Sequence, residues 1–181
     1  MNTERIELYR LCGLKDRPTS GTQWHDVIVA GLPVKAVRRT AEAIGVQDTE
    51  LAGLLGIAME LLDDEEALLP RDASNFLYRI GLALTRTIAK NGNDAEKAAF
   101  WLRTAEPAIK NYVPILLLQS HVGADYVYAC IDRMESPKDK LVHQDEAPDV
   151  GTAEIAHRFE GEGDEDDGPN PFALVDPVDE R

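Results

Sequence analysis

The sequence predicts an all-α fold, on three observations. Apolar residues recur at spacings of three and four along most of the first 136 residues, and glycines, prolines and capping side chains punctuate them. No alternating pattern of useful length and no Asn-Gly turn between apolar runs argues for a strand or a hairpin. The formal charge of −14 is unevenly spread: from Pro137 onward fourteen Asp and Glu face four Lys and Arg, a net of −10 that leaves only −4 for residues 1–136. With 181 residues, 44% of them apolar, the chain suits one helical body with appendages.

Residues 1–21 read as an N-terminal segment, and Met1 to Arg10 is charged rather than an apolar leader. Pro33 then opens a short amphipathic helix. Val34, Val37, Ala41 and Ile44 form its buried side, Arg38, Arg39 and Glu42 its outer side, and Gly45 its stop. Asp48 is placed to cap a second helix whose buried face is Leu51, Ala52, Leu54 and Leu55, ended by Gly56. The Gly56-Ile57 turn should feed a third helix over Ala58–Leu69. That segment contains Glu60, Asp63, Asp64, Glu65 and Glu66 and no Lys or Arg.

Pro70 suits the first turn of the longest helix, in which Phe76, Leu77, Ile80, Leu84 and Ile88 face inward to about Lys90. Gly92 ends it. Asn93 followed by Glu96 has the form of a capping box for a helix from Asp94 to about Arg103, closed by Trp101 and Leu102. Pro107 and Pro114 bracket a linking loop, Leu116 to Leu118 make an apolar turn, and Ser120 can cap a last helix carrying Val122, Tyr126, Val127, Cys130, Ile131 and Met134. The divisions expected are 22–70, a helix-turn-helix-like region; 71–136, a second helical part; and 137–181, an acidic tail. The tail has too little apolar surface to offset the entropy of ordering, so it should be disordered when free, apart from islands at Ile155–Phe159 and Pro171–Val175 that suit docking.

These patterns exclude several functions. His25, His121, His143 and His157 stand singly, and neither HExxH nor paired cysteines suggest zinc. The Asp63–Glu66 run lacks the alternate-position ligands and glycine of a calcium loop, so a solvated acidic surface is its simplest reading. Without convergent acid, base and nucleophile no enzyme is expected, nor a cofactor or a metal. Cys12 and Cys130 are far apart and no apolar run reaches the roughly 20 residues of a membrane span, so the expectation is a cytoplasmic, soluble protein with no membrane partner.

Thr49–Ile57 fits a helix-turn-helix: a helix with alanine at a packing position, a turn glycine, then an apolar residue opening the next helix. Any tight helical corner shares that pattern. DNA affinity rests on cations that neutralise phosphates, whereas the would-be recognition helix presents five carboxylates. Lys35, Arg38, Arg39 and Arg71 are the candidate DNA contacts, most useful if a dimer or a partner aligned them along a duplex. Trp101, Tyr112, Tyr126 and Tyr128 are core candidates that, beside prolines, also make good partner anchors.

Gly31-Leu32-Pro33-Val34, Glu50–Ile57, Leu69-Pro70-Arg71-Asp72-Ala73-Ser74, and Phe100–Pro107 followed by Pro114, in that order, resemble the Xre/MbcA/ParS antitoxins over about residues 22–135. The resemblance implies an Xre-like helix-turn-helix followed by a helical toxin-binding domain, marked by a Trp-Leu pair, two prolines and a leucine-rich turn. It also implies a homodimer without catalytic activity that neutralises a RES-domain toxin, an NAD-degrading or ADP-ribosylating enzyme, by occluding its NAD site. Operator binding is a further property of such complexes, and a dimeric repressor of its own operon is the alternative reading. The toxin-binding residues so implied are Trp101, Leu102, Pro107, Pro114, Leu117 and Tyr126; Phe172 and Leu174 are added from the tail's own composition, as anchors for a flexible acidic segment suited to fill an NAD pocket as a charge mimic. The chain departs from the pattern in its acidic Met59–Glu66 stretch and in about 45 extra residues at its end.

Overall fold

The computed structural model describes residues 7–134; the acidic tail, its two islands, and Phe172 and Leu174 lie outside them. Within those residues the architecture is all helix: α1 Leu8–Leu11, α2 Gly21–Ala30, α3 Lys35–Ile44, α4 Asp48–Leu55, α5 Arg71–Lys90, α6 Ala95–Arg103, α7 Pro114–Leu117 and α8 His121–Arg133. Two short 3-10 turns, Met59–Asp63 and Pro107–Ile109, complete it. None of these helices is long and apolar enough to cross a membrane.

The twenty residues of α5 form the central post, against which α1, α2, α3, α4, α6 and α8 all pack. Its periodicity requires this, because Ala73, Phe76, Leu77, Ile80, Ala83, Leu84 and Ile88 form an apolar face too broad for one neighbour to cover. Leu32, Ile44, Leu51, Leu77, Ile80, Leu84, Leu102 and Ile131 are fully buried. Each contributes about 1.5–3 kcal/mol of burial. They belong to one apolar cluster running from Leu11 to Ile131.

An internal clip joins the two ends of the helix-turn-helix region. The Leu69 N–H donates to the Leu32 carbonyl and the Val34 N–H to the Ala67 carbonyl, each at 2.8 Å, making an isolated antiparallel bridge between Pro33 and Leu68. Buried Ser74 extends the clip, its Oγ accepting from the Leu32 N–H at 2.9 Å and donating to the Leu69 carbonyl at 3.4 Å. Gly31 is required here: its φ is +103°, and a Cβ would stand 2.6 Å from the Leu69 carbonyl oxygen.

That clip corrects the helix predicted over Ala58–Leu69. Only Met59–Asp63 is helical, as a 3-10 helix, after which Asp64 Oδ1 accepts from the Glu66 and Ala67 N–H groups. A continuous helix would stack Glu60 on Asp64 and Asp63 on Glu66, and would set carboxylates near its negative C-terminal end. The chain relieves both by leaving the helix and pairing as extended backbone.

Other boundaries differ by cap chemistry. Asp94, not Asn93, caps α6, accepting the Lys97 N–H at 3.0 Å; this bond, reinforced by the Lys97 side chain, holds its carboxyl below the usual range. Asn93 instead takes a left-handed φ of 68°, which Asn tolerates. Gln47 precedes α4, so Asp48 is its first residue rather than its cap, and Pro70 stands just before α5 rather than within it. Helix α2 carries its own start signal: Ser20 accepts from the Gln23 N–H at 3.2 Å, while Gln23 Oε1 accepts from the Thr19 N–H at 2.7 Å. Ser120 caps α8 as its position predicts, accepting from the Gly123 N–H.

Thr40 on α3 is 1% exposed and its hydroxyl has no hydrogen-bond partner. Thr40→Val keeps the shape and removes the unmatched polar atom, so it should raise stability by about 1 kcal/mol, read as a higher urea midpoint at unchanged slope. An unchanged or lower midpoint would show that the hydroxyl is satisfied in solution.

Candidate partner-binding site

The four candidate DNA contacts are all engaged within the chain. Lys35 Nζ lies 2.7 Å from Glu66 Oε1, and this hydrogen bond and charge hold the Glu66 carboxyl below its ordinary range. Arg38 pairs with Glu65 and lies 3.6 Å from Asp48, Arg39 donates to the Arg10 carbonyl at 3.0 Å, and Arg71 stands 3.8 Å from Asp72. Phosphates would have to displace these partners. The 3-10 turn that replaces the recognition helix adds Glu60 and Asp63 and no cation.

The other half of the molecule is built to present apolar side chains. In α6, Ala95, Ala98, Ala99 and Leu102 form the inward arc at i, i+3, i+4 and i+7, which swings Phe100 to the outside with 63% of its surface exposed. Trp101 sits half-buried between, its indole N–H donating to Glu106 Oε2 at 2.7 Å. Glu106 Oε1 accepts the Ala108 N–H, so one carboxylate fixes both the indole and the turn opened by Pro107. Arg103 ties the end of α6 to the end of α3, donating to the Gly45 carbonyl at 3.0 Å and the Ala99 carbonyl at 3.2 Å. Phe100, Trp101, Ile44 and Met134 line a groove of about 800 Å³ whose edge carries the exposed carboxylates of Glu42 and Glu96.

Beyond the groove a backbone knuckle crosses itself. The Glu106 N–H donates to the Tyr112 carbonyl at 3.0 Å and the Asn111 N–H returns to the Glu106 carbonyl at 2.9 Å. Closure forces Lys110 and Asn111 to φ of 57° and 61°, two consecutive left-handed residues without glycine, and leaves Tyr112 57% exposed at the tip. Such strain persists only where the surroundings over-determine it. Lys110→Gly should therefore stabilise the fold by about 1 kcal/mol, since the left-handed region costs an L residue roughly 1–2 kcal/mol. Calorimetry that found a lower melting temperature would remove strain as the description of this turn.

The residues predicted for toxin binding are distributed by depth. Leu102 and Pro114 are buried, Trp101 and Leu117 half-buried, Pro107 and Tyr126 exposed. Pro114 starts α7, Leu117 ends it, and Tyr126 lies four residues after exposed Val122 on α8. Arg79 braces this end by donating to the Leu118 and Gln119 carbonyls, and the Arg86 guanidinium lies 4.9 Å from the centre of the Tyr128 ring. Burial pushes the Tyr128 phenol up to about 12, and its hydroxyl donates to the Arg79 carbonyl, so this tyrosine serves packing while Tyr112 and Tyr126 face outward.

The sequence places Phe100 and Glu106 in the Phe100–Pro107 stretch and Leu116 in an apolar turn without giving any of them a contact role. Phe100 was findable as the aromatic off the buried arc of α6; Glu106 was not, because a five-residue Trp-to-Glu contact depends on how the chain leaves the helix. Among the described residues no group of His, Cys, Asp and Glu could hold a metal ion.

No curated protein matches the chain. A family model does: residues 23–80, from α2 through the clip into α5, match the antitoxin Xre-like helix-turn-helix domain. The match is to that region alone and places an antitoxin-type helix-turn-helix there.

Proposed function

We propose that this protein is the antitoxin of a type II toxin–antitoxin pair and neutralises a RES-domain toxin, NAD-consuming or ADP-ribosylating, by occluding its NAD site. The observation that carries this reading is an antitoxin-type helix-turn-helix whose cations are self-paired, followed by an α6–α8 region that exposes Phe100, Tyr112, Leu116, Val122 and Tyr126. An aromatic anchor on an ordered element is what a protein partner can bury with little ordering cost. Trp101, Pro107, Leu117 and Tyr126 supply contact in this reading, while Leu102 and Pro114 hold them from beneath.

The acidic tail adds a second contact. An NAD pocket must hold a pyrophosphate with cationic or N–H groups, and a carboxylate-rich segment anchored by Phe172 and Leu174 mimics that charge. A homodimer, as the resemblance implies, would deliver two such surfaces.

The decisive measurement is the NAD consumption of the toxin encoded beside this gene, with and without the purified protein. One equivalent should abolish turnover. Unchanged turnover at several equivalents would falsify the proposal. The alternative, a dimeric repressor of its own operon, requires the engaged Lys35 and Arg38 to be released; a gel shift with the operon's promoter, with and without toxin, separates the two.

A further inference from the structure

The groove lined by Ile44, Ala95, Ala99, Phe100 and Trp101 has a charged edge whose cations are already engaged. Lys97 pairs with Asp94 at 3.0 Å, and Arg103 donates to the Gly45 and Ala99 carbonyls. Glu106 takes the indole and the Ala108 N–H. Glu42 and Glu96 are left over: both are exposed, and among the described residues neither forms an ion pair. Apolar surface framed by two unanswered carboxylates suits a segment that carries aliphatic side chains beside cations.

The chain supplies such a segment where the groove ends. Helix α8 stops at Arg133, and Met134, which lines the groove, leaves it in extended conformation at φ −62° and ψ 130°. Lys90 fixes that exit by donating to the Asp132 and Met134 carbonyls at 2.9 and 3.2 Å. Soon after comes Lys138-Asp139-Lys140-Leu141-Val142, which holds two of the four Lys and Arg found from Pro137 onward. Leu141 lies seven residues past Met134, a reach of up to roughly 25 Å. Helix α6, one wall of the groove, has nine residues and is only about 14 Å long.

We propose that Lys138–Val142 fold back into this groove, with Leu141 and Val142 against its apolar floor and the two lysines on its carboxylate edge. This goes beyond toxin neutralisation and does not depend on it. Lysine suits the edge because its stem lies along apolar surface while its ammonium stays in water. Exposed ion pairs are individually weak, so the aliphatic pair provides most of the hold and the charges set which segment is admitted. The contact covers Phe100, and a partner that uses that side chain has to displace it.

The test measures trypsin cleavage after Lys138 and Lys140 in the full chain, each rate divided by that of a free peptide 135–146 of the same sequence. Cleavage needs an open segment, so docking for about nine-tenths of the time slows it about tenfold, and that protection is the expected result. As an intramolecular contact it should be equal at protein concentrations that differ about a hundredfold. Leu141→Ser/Val142→Ser should reduce protection to about twofold or less, and Glu42→Lys/Glu96→Lys, with its helical circular dichroism intact, should do the same. Glu60→Lys/Asp63→Lys reverses two exposed carboxylates that do not line the groove and should keep the protection. Cleavage of the wild type at the free-peptide rate, full protection in either of the first two variants, its loss in the third, or protection that grows with protein concentration overturns the proposal.

Discussion

Leu102→Ala is expected to destabilise the protein by about 2–5 kcal/mol, a large share of the 5–15 kcal/mol that holds a domain of this kind together. Leu102 is fully buried where the inward arc of α6 meets the apolar cluster, and α6 packs against α3, α5 and α7. Those three neighbours are fixed from other sides, so the lost side chain leaves a void that the surroundings fill only in part. Urea denaturation measures it directly. A loss below about 1 kcal/mol would mean that α6 can settle onto α5 and that the groove beside it is not rigid. The variant should also inhibit the toxin less, but only in proportion to the fraction unfolded.

Trp101→Ala separates contact from support. Its indole is half-buried and hydrogen-bonded to Glu106, so truncation removes an anchor and frees the carboxylate that organises the Pro107 turn. Toxin inhibition should weaken by about 30-fold to 1,000-fold, the 2–4 kcal/mol that a central aromatic anchor commonly carries. Trp101→Phe keeps most of the apolar surface and loses only the N–H, so it should fall in between, and Glu106→Gln, whose single amide oxygen cannot accept from both the indole and the Ala108 N–H, should lose one of the two bonds and fall beside it. If Trp101→Ala remained folded and inhibited as well as the wild type, the docking face would have to be placed elsewhere.

The helices of the body were legible because their signals are local. Val34, Val37, Ala41 and Ile44 on α3, and Phe76 to Ile88 on α5, specify a buried face through spacing alone, and Gly45, Gly56 and Ser120 mark ends through conformational or capping preferences that need no distant partner. The Trp101 and Pro107 region was recognisable as composition and order, but its division into supporting Leu102 and displayed Phe100 required knowing which side of α6 meets α3 and α5. Glu106 was invisible until the turn after α6 brought it to the indole.

The fate of Ala58–Leu69 draws the boundary most sharply. Its composition alone set the absence of cations, and with it the weakness of any DNA-reading helix in this position. Whether the segment would be a helix at all was decided thirty residues away, by the Leu32 and Val34 backbone groups that pair with Leu69 and Ala67 and by the Lys35 and Arg38 side chains that hold Glu66 and Glu65. Spacing and caps act over one or two turns of chain, so sequence determines the helices; charge pairing and backbone bridging join distant segments, and their outcome exists only once the core has brought those segments together.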